Sequence, residues 1–387
     1  MIRLKRNFGF WAGAVVLMVV LVACSARNTP APTATAQIPA QSLPATTILP
    51  PTATATIAPT ATWTPSPTAP PTSTPTVTAT PTLTPTPTPH PLAGYTIEGL
   101  RAREYPGDTI QVRWVITTTN AYTRYYIDYP SDDPSVNSEQ RLTITGVMHV
   151  PHGEGPFPVV ILNHGYIPPS RYWSGADTWR AADYLARHGY LTIAPDFRGW
   201  GGSDSGDNFF RSGLVIDVLS LISSLPSVPQ ADPQRVGMWG HSMGGGVTTK
   251  AITIDRRLKA AVLYAPVSAD DTAVMRRWGR FIRGGNPDDP VWRSYRQAIR
   301  DRAFLRRTSP INYFNFVTAS VQIHQGAADT TTPPEWAEAI RDALQAAAKE
   351  VEYFSYPGQG HALQGESWTL FMRRVTGFFD RTLKAAL

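Results

Sequence analysis

The stretch that most restricts what this chain can become is Val236-Gly-Met-Trp-Gly-His-Ser-Met-Gly-Gly-Gly246. The β-forming residues Arg235 to Trp239 run directly into Gly240-His-Ser242-Met-Gly244, and Val247 to Ile254 reads as a helix. A strand, a sharp turn and a helix in that order hold the serine in a strained backbone conformation that lifts its hydroxyl above the sheet. Only glycine tolerates the crowding two residues to either side. The helix start leaves free amides beside the hydroxyl, where an oxyanion can form. Ser242 is therefore the candidate nucleophile, and an ordinary glycine-rich turn is the alternative for these five residues taken alone.

Composition divides the chain. Residues 28–91 are almost entirely Pro, Thr and Ala and carry no charged side chain. So much proline favours an extended polyproline II stalk with too little apolar surface to collapse, reaching on the order of 200 Å at about 3.1 Å per residue. Before it, Arg3, Lys5 and Arg6 precede an apolar run, Phe8 to Ala23, that is short for a membrane span and typical of a signal-peptide core. That run ends in Leu21-Val-Ala-Cys24, which resembles the lipobox of bacterial lipoproteins, where the cysteine becomes the lipid-bearing first residue after cleavage. Cys24 is the single cysteine, so no internal disulfide or cysteine-based metal site is expected. Removing the three basic residues of the leader takes the formal charge from +6 to 6 − 3 = +3, and no basic tract argues for nucleic acid.

Beyond the stalk, Tyr95 to Tyr129 alternates apolar and polar residues, notably over Thr109–Ile116 and Tyr122–Tyr129, and predicts antiparallel strands at a sheet edge, continued by Leu142–Val150. Pro158–His164 is a nearly continuous apolar run, as a buried parallel strand requires. Helices then alternate with strands: Thr178–His188, Leu191–Ala194, Leu214–Leu225, the Ser242 strand and its helix, and Ala260–Tyr264. The expectation is a doubly wound, mostly parallel α/β sheet. Asn163-His-Gly-Tyr166 ends the first parallel strand, where a turn can aim the Tyr166 amide at the same point as the Met243 amide, making an oxyanion hole. Asp196-Phe-Arg-Gly-Trp-Gly-Gly-Ser203 closes the next strand and is assigned to shaping the site; it lacks the Gly-Lys-Ser/Thr ending of a phosphate loop.

A serine hydroxyl needs a base to take its proton and a carboxylate to orient that base. Val321–Asp329 is an apolar strand running into a loop that carries Asp329, followed by a helix over Glu335–Ala348. Val351–Tyr356 is the next strand, and Pro357-Gly-Gln-Gly-His361 is its loop, ahead of a last helix over Trp368–Leu383. Acid and base thus follow successive strands at the edge that presents Ser242. Of eight histidines, His361 alone sits in a Gly-rich loop after the last strand; His164 and His241 adjoin the two turns and are expected to shape them. Asp270 and Asp271 are the alternative position for the acid.

Together these motifs make the segment from Leu142 to Leu383 resemble an α/β-hydrolase, and especially the catalytic domain of prolyl oligopeptidase-like serine peptidases and their esterase relatives. The resemblance rests on Gly240-His-Ser-Met-Gly-Gly245, His164-Gly165, Asp196–Ser203, Asp329-Thr-Thr-Thr-Pro-Pro334 and Gly360-His361. It implies a Ser242–His361–Asp329 triad acting through an acyl-enzyme, with no metal or organic cofactor. Two departures bear on the substrate. Residues 92–141 are too few for a β-propeller, and His241 and Met243 flank the serine as in many esterases and lipases.

The expected organisation is a lipoprotein signal peptide over residues 1–23, a stalk over 24–91 and the hydrolase domain over 92–387. A helical cap insertion is expected over 266–313. Ten arginines fall in that insertion, among them Arg276, Arg277, Arg280 and Arg283, with Trp278 and Trp292 interleaved. They read either as a lid receiving an acidic substrate or as solvated helix faces partly balanced by Asp288, Asp289 and Asp301. The function expected is an outward-facing bacterial hydrolase, anchored to the membrane through Cys24, that cleaves a peptide or carboxylic ester bond of a small-molecule or peptide acyl substrate. A carboxylesterase without peptidase activity and a non-catalytic stalked binding module are the alternatives.

Overall fold

A computed structural model describes residues 90–132, 141–279 and 288–384. The signal peptide, Cys24, nearly all of the stalk, and Arg280 and Arg283 lie outside the described residues.

Among the described residues, nine strands form one sheet. In chain order they are β1 (Gln111–Thr118), β2 (Tyr122–Asp132), β3 (Arg141–Pro151), β4 (Phe157–Asn163), β5 (Leu191–Pro195), β6 (Ala231–His241), β7 (Leu258–Tyr264), β8 (Ser320–Gly326) and β9 (Val351–Tyr356). Their spatial order is β1-β2-β3-β5-β4-β6-β7-β8-β9. The first three strands and the β3–β5 pair are antiparallel, and every pairing from β5 to β9 is parallel. This is the α/β-hydrolase fold, with antiparallel strands at its amino-terminal edge.

The apolar runs of β4 and β6 have a simple cause: helices cover both faces of the sheet, so inward and outward positions alike must be apolar. Val159 and Ile161 of β4 point into one core with α3 (Ser212–Ser224), α4 (Met243–Ile254) and α8 (Pro334–Ala346). Val160 and Leu162 point into the other, with α2 (Trp179–Arg187) and α9 (Gly365–Phe379), whose Phe371, Val375 and Phe379 fill it. Helix α3 is largely apolar because all but one of its residues are buried, with its one charge, Asp217, paired to Arg198.

The amino-terminal edge departs from the alternation read there. Ile97–Ala102 is a short helix, α1, started by Thr96, whose hydroxyl accepts the Gly99 amide at 3.1 Å. All eight residues of β1 are exposed, including Val112, Trp114 and Val115, each more than half exposed. As the outermost strand β1 meets neither helical layer, so its apolar residues find cover only from neighbours; Trp114 stacks on Tyr126 at 4.3 Å.

Between β7 and β8 the chain forms α5 (Asp271–Trp278), α6 (Pro290–Ala298) and α7 (Arg302–Thr308). Tyr295, Phe304 and Leu305 of this insertion share an aromatic cluster with Phe209 and Phe210, the residues just ahead of α3. Trp292 belongs to that cluster, 5.0 Å from Phe209, whereas Trp278 faces a cavity. Asp289 and Asp301 begin α6 and α7, accepting the Val291 and Ala303 amides at 2.8 Å each. Their work is capping, which ends two helices' unmet amide demand, rather than balancing the arginines.

Candidate active site

Ser242 stands between β6 and α4 at φ 54°, ψ −114°, a conformation that side-chain-bearing residues rarely adopt. Surrounding hydrogen bonds hold it there. Its amide donates to the Tyr264 carbonyl at 2.9 Å, and its own carbonyl accepts the Gly246 and Val267 amides at 3.2 and 3.1 Å. The flanking glycines answer to crowding. A Cβ on Gly240 would lie 2.3 Å from the Gly244 carbonyl oxygen, and one on Gly244 would lie 2.0 Å from that of Asn163. The motif's spacing is thus imposed by backbone packed against backbone.

Asp329 and His361 follow β8 and β9, two strands further along the same edge. Asp329 Oδ2 accepts from His361 Nδ1 at 2.8 Å and from the Thr332 hydroxyl at 2.7 Å, while Oδ1 accepts the Thr331 and Thr332 amides at 2.8 and 3.0 Å. Burial would raise this carboxyl's pKa, but hydrogen bonds from His361 and Thr332 outweigh it and bring it down to about 2. Asp329 is therefore a carboxylate at any working pH. With Nδ1 engaged, Nε2 is the His361 nitrogen left for chemistry. Ser242, Met243, Tyr166 and His361 all line one cavity of about 700 Å³. Its remaining walls are Val267, Val274, Trp278, Thr331 and Arg211.

The alternative acid position is engaged elsewhere. Asp270 caps α5 by accepting the Thr272 amide at 2.8 Å, and Asp271, fully buried, pairs with Arg211 and Lys250.

One group with no local sequence signal ties the site together. Asp177, at φ 68°, accepts the Gly165 amide at 2.7 Å and lies 2.9 Å from His241 Nδ1. A single carboxylate thus joins the turn before Tyr166 to the turn before Ser242. The other nitrogen of His241, Nε2, lies 3.2 Å from the His361 carbonyl oxygen. Both partners of His241 are oxygen acceptors, and one is a carboxylate, so the surroundings favour its protonated form. The electrostatics agree: burial would lower its pKa, but the charge and hydrogen bond of Asp177 more than offset this and raise it. Asp177 is correspondingly drawn down to about 2, against the upward pull of burial, chiefly by the His241 charge.

His164 differs. Its nitrogens face only neutral carbonyl oxygens, Gly165 at 2.7 Å from Nδ1 and Asp196 at 3.2 Å from Nε2, so burial prevails and its pKa is lowered. It packs between Tyr172 and Phe197 at 4.6 Å from each. The Asp196–Ser203 loop closes against it: Trp200 Nε1 donates to the Ile167 carbonyl at 2.7 Å, bracing the segment after Tyr166. The buried Arg198–Asp217 pair, 2.7 Å apart, fastens the loop to α3.

A parallel sheet whose strand ends carry a strained serine and a histidine–carboxylate pair defines an α/β-hydrolase with serine chemistry, and the chain is a serine hydrolase. It belongs to the prolyl oligopeptidase family, whose model matches residues 177–386, more than half of the chain. Among curated relatives, dipeptidyl-peptidase 5 of Porphyromonas gingivalis is 28% identical over 225 residues, covering 56% of this chain and 32% of that protein. Esterase FrsA of Shigella boydii is 30% identical over 126 residues, 32% of this chain and 29% of that one. The chain spans from about a third to under half of the length of the first relatives it matches. In fold it is similar to acetyl xylan esterase 1 from Thermoanaerobacterium sp. JW/SL YS485, with a TM-score of 0.53 at 18% identity, covering 73% of this chain and 90% of that one. It is also similar to a putative dipeptidyl aminopeptidase IV from Bacteroides ovatus, with a TM-score of 0.51 at 19% identity, covering 68% of this chain and 36% of that one.

Proposed function

We propose that this hydrolase acts outside the cytoplasm, held to the membrane by a lipid on Cys24 and a Pro/Thr-rich stalk, and cleaves carboxylic esters of small acyl substrates. The observation that carries the chemistry is the strained Ser242 in one cavity with His361, whose far nitrogen is 2.8 Å from Asp329. Ser242 Oγ attacks the acyl carbonyl carbon while His361 Nε2 takes its proton. Asp329 keeps the imidazole in the Nδ1–H tautomer and stabilises the imidazolium that forms. The Met243 and Tyr166 amides hold the tetrahedral oxyanion, and donors of this kind contribute about 3 kcal/mol each. His361 returns the proton to the leaving group; water, deprotonated by the same nitrogen, then attacks the acyl carbon, the bond to Ser242 Oγ breaks, and His361 gives that proton back to Oγ.

Cleavage of peptide bonds is the second reading, favoured by the family match and by the dipeptidyl-peptidase relative. His241 and Met243 beside the nucleophile, as in many esterases, support the ester reading. A matched ester and anilide of one acyl group separate the two. Turnover of the ester alone, lost in Ser242→Ala, supports the esterase. A comparable kcat/KM for the anilide makes the protein a peptidase, and activity that survives in Ser242→Ala removes the nucleophile. Labelling of the full chain by radioactive palmitate in a bacterial host, with Cys24→Ala as control, tests the anchor. Equal labelling of both sinks it.

A further inference from the structure

Arg211 is the one cationic side chain on the wall of the cavity that Ser242 and His361 line, among the described residues. The same residue also lines a smaller cavity of about 200 Å³ with Phe210, Met275, Trp278 and Tyr295, so it stands where the two adjoin. Its backbone is left-handed at φ 62°, as is that of Phe210 at φ 55°. Two consecutive side-chain-bearing residues in this region are held there only by their surroundings.

The charges beneath Arg211 do not balance. Its Nη2 pairs with Asp271 Oδ1, and the other carboxylate oxygen lies 3.4 Å from the buried Lys250 ammonium, which also donates to the Phe210 carbonyl at 2.7 Å. Two cations thus share one carboxylate. Burial pulls Lys250 down to about 8, and Asp271 opposes that pull. Arg211 carries five N–H donors, yet among the described residues its contact with Asp271 alone occupies them, and its buried Nε meets no hydrogen-bond partner there. The walls nearby, Met243, Val267, Val274 and Trp278, are apolar and offer no acceptor.

An apolar ligand filling this space would strip water from guanidinium donors without replacing it, whereas an anionic one would meet a charge-assisted partner in a poorly screened site. We propose that Arg211 is the specificity-determining residue of the cavity, and that the preferred substrates are esters whose acyl chain is apolar along its length and ends in a carboxylate. The proposal rests on the hydrolase reading above for the chemistry, and on the cavity's charge for the preference.

The test compares 4-nitrophenyl monoesters of adipic, pimelic and suberic acids with the neutral hexanoate, heptanoate and octanoate, using the full chain. The wild type should favour the anionic ester at one length or more by roughly tenfold to a hundredfold in kcat/KM, the range of a charge-assisted hydrogen bond. In Arg211→Gln the anionic-to-neutral ratio should fall to about one or below, with Arg211→Lys intermediate because it keeps the charge but loses the planar fork. A ratio taken within one preparation does not depend on the fraction that folds. A wild-type ratio of one or less at every length, or a ratio that survives Arg211→Gln, overturns the proposal. If the wild type cleaves none of the six esters, the ester reading fails, and the anion site is judged by calorimetry with the monomethyl esters of the same diacids and Ser242→Ala. Binding that disappears in the Ser242→Ala/Arg211→Gln double variant then supports the site, and no binding by Ser242→Ala overturns it.

Discussion

The two walls of the cavity are built on different principles. One is the carboxyl edge of the sheet, where Ser242, Asp329 and His361 stand in the loops after β6, β8 and β9. Asp329 and the far side of His361 are paired, and the strain at Ser242 is contained by backbone hydrogen bonds and by glycines that cannot accept a Cβ. The other wall, from Arg211 to α5, is held by side chains: two cations on one buried carboxylate, with apolar residues around them. The first wall keeps free only the groups that meet the reacting atoms, while the second keeps guanidinium donors unspent. A site divided in this way can change its preferred acyl group through the second wall without disturbing the reacting atoms.

Substitutions on the first wall should therefore remove rate, and those on the second should shift preference. Ser242→Ala gives the largest effect, a loss of roughly 10⁶ in kcat with abolished labelling by a fluorophosphonate; residual turnover within a hundredfold of wild type would remove Ser242 from the chemistry. Asp329→Asn should cost about 10⁴ in kcat at little change in KM, because the amide favours the wrong His361 tautomer. Steady-state kinetics on one ester reads both numbers.

Asp177→Asn sits between the walls' two kinds of effect. It loosens the turns before Tyr166 and Ser242 together, and a misplacement of the oxyanion donors is expected to cost roughly 100-fold in kcat/KM. Removing the carboxylate also leaves a buried His241 imidazolium unpaired, at about 3 kcal/mol of stability. The pH dependence of that loss has a definite sign. Asp177 titrates at about 2 in the folded chain against 3.8 otherwise, so its contribution is present above 3.8 and disappears as pH falls through about 2. His241 has a raised pKa, so its contribution is full below 6.5 and fades as pH rises through the folded value. Urea unfolding should show the gap between wild type and Asp177→Asn at its widest from about pH 4 to 6.5 and narrower on the alkaline side. A gap that widens with pH would contradict the imidazolium.

Lys250→Met should have the smallest effect. It removes one of the two cations on Asp271, leaving Arg211 balanced, and should lower the preference for anionic esters only a fewfold, since the remaining guanidinium still supplies the hydrogen bonds. An unchanged preference would confine the selectivity to the Arg211 fork rather than to the excess charge.

The sequence by itself determined what depends on neighbouring residues. Continuous apolar runs at Pro158–Leu162 and Val236–Trp239 required strands covered on both faces, and Gly240 and Gly244 marked a backbone crossing too close for side chains. Loops after the last two strands singled out Asp329 and His361, which the structure brings within 2.8 Å. The antiparallel edge strands were legible over Thr109–Ile116 and Tyr122–Tyr129, whereas the helix Ile97–Ala102 was not, and alternation does not report whether anything covers the face it marks on β1. Asp177, Thr332 and Arg211 were passed over. Asp177 meets His241 across 64 residues of chain and Arg211 meets Asp271 across 60. An aspartate or arginine looks the same in a sequence whether it is solvated or locked to a distant partner. Only tertiary packing, which excludes water and sets charges against one another, made these residues the ones that hold the turns in place and give the cavity its sign.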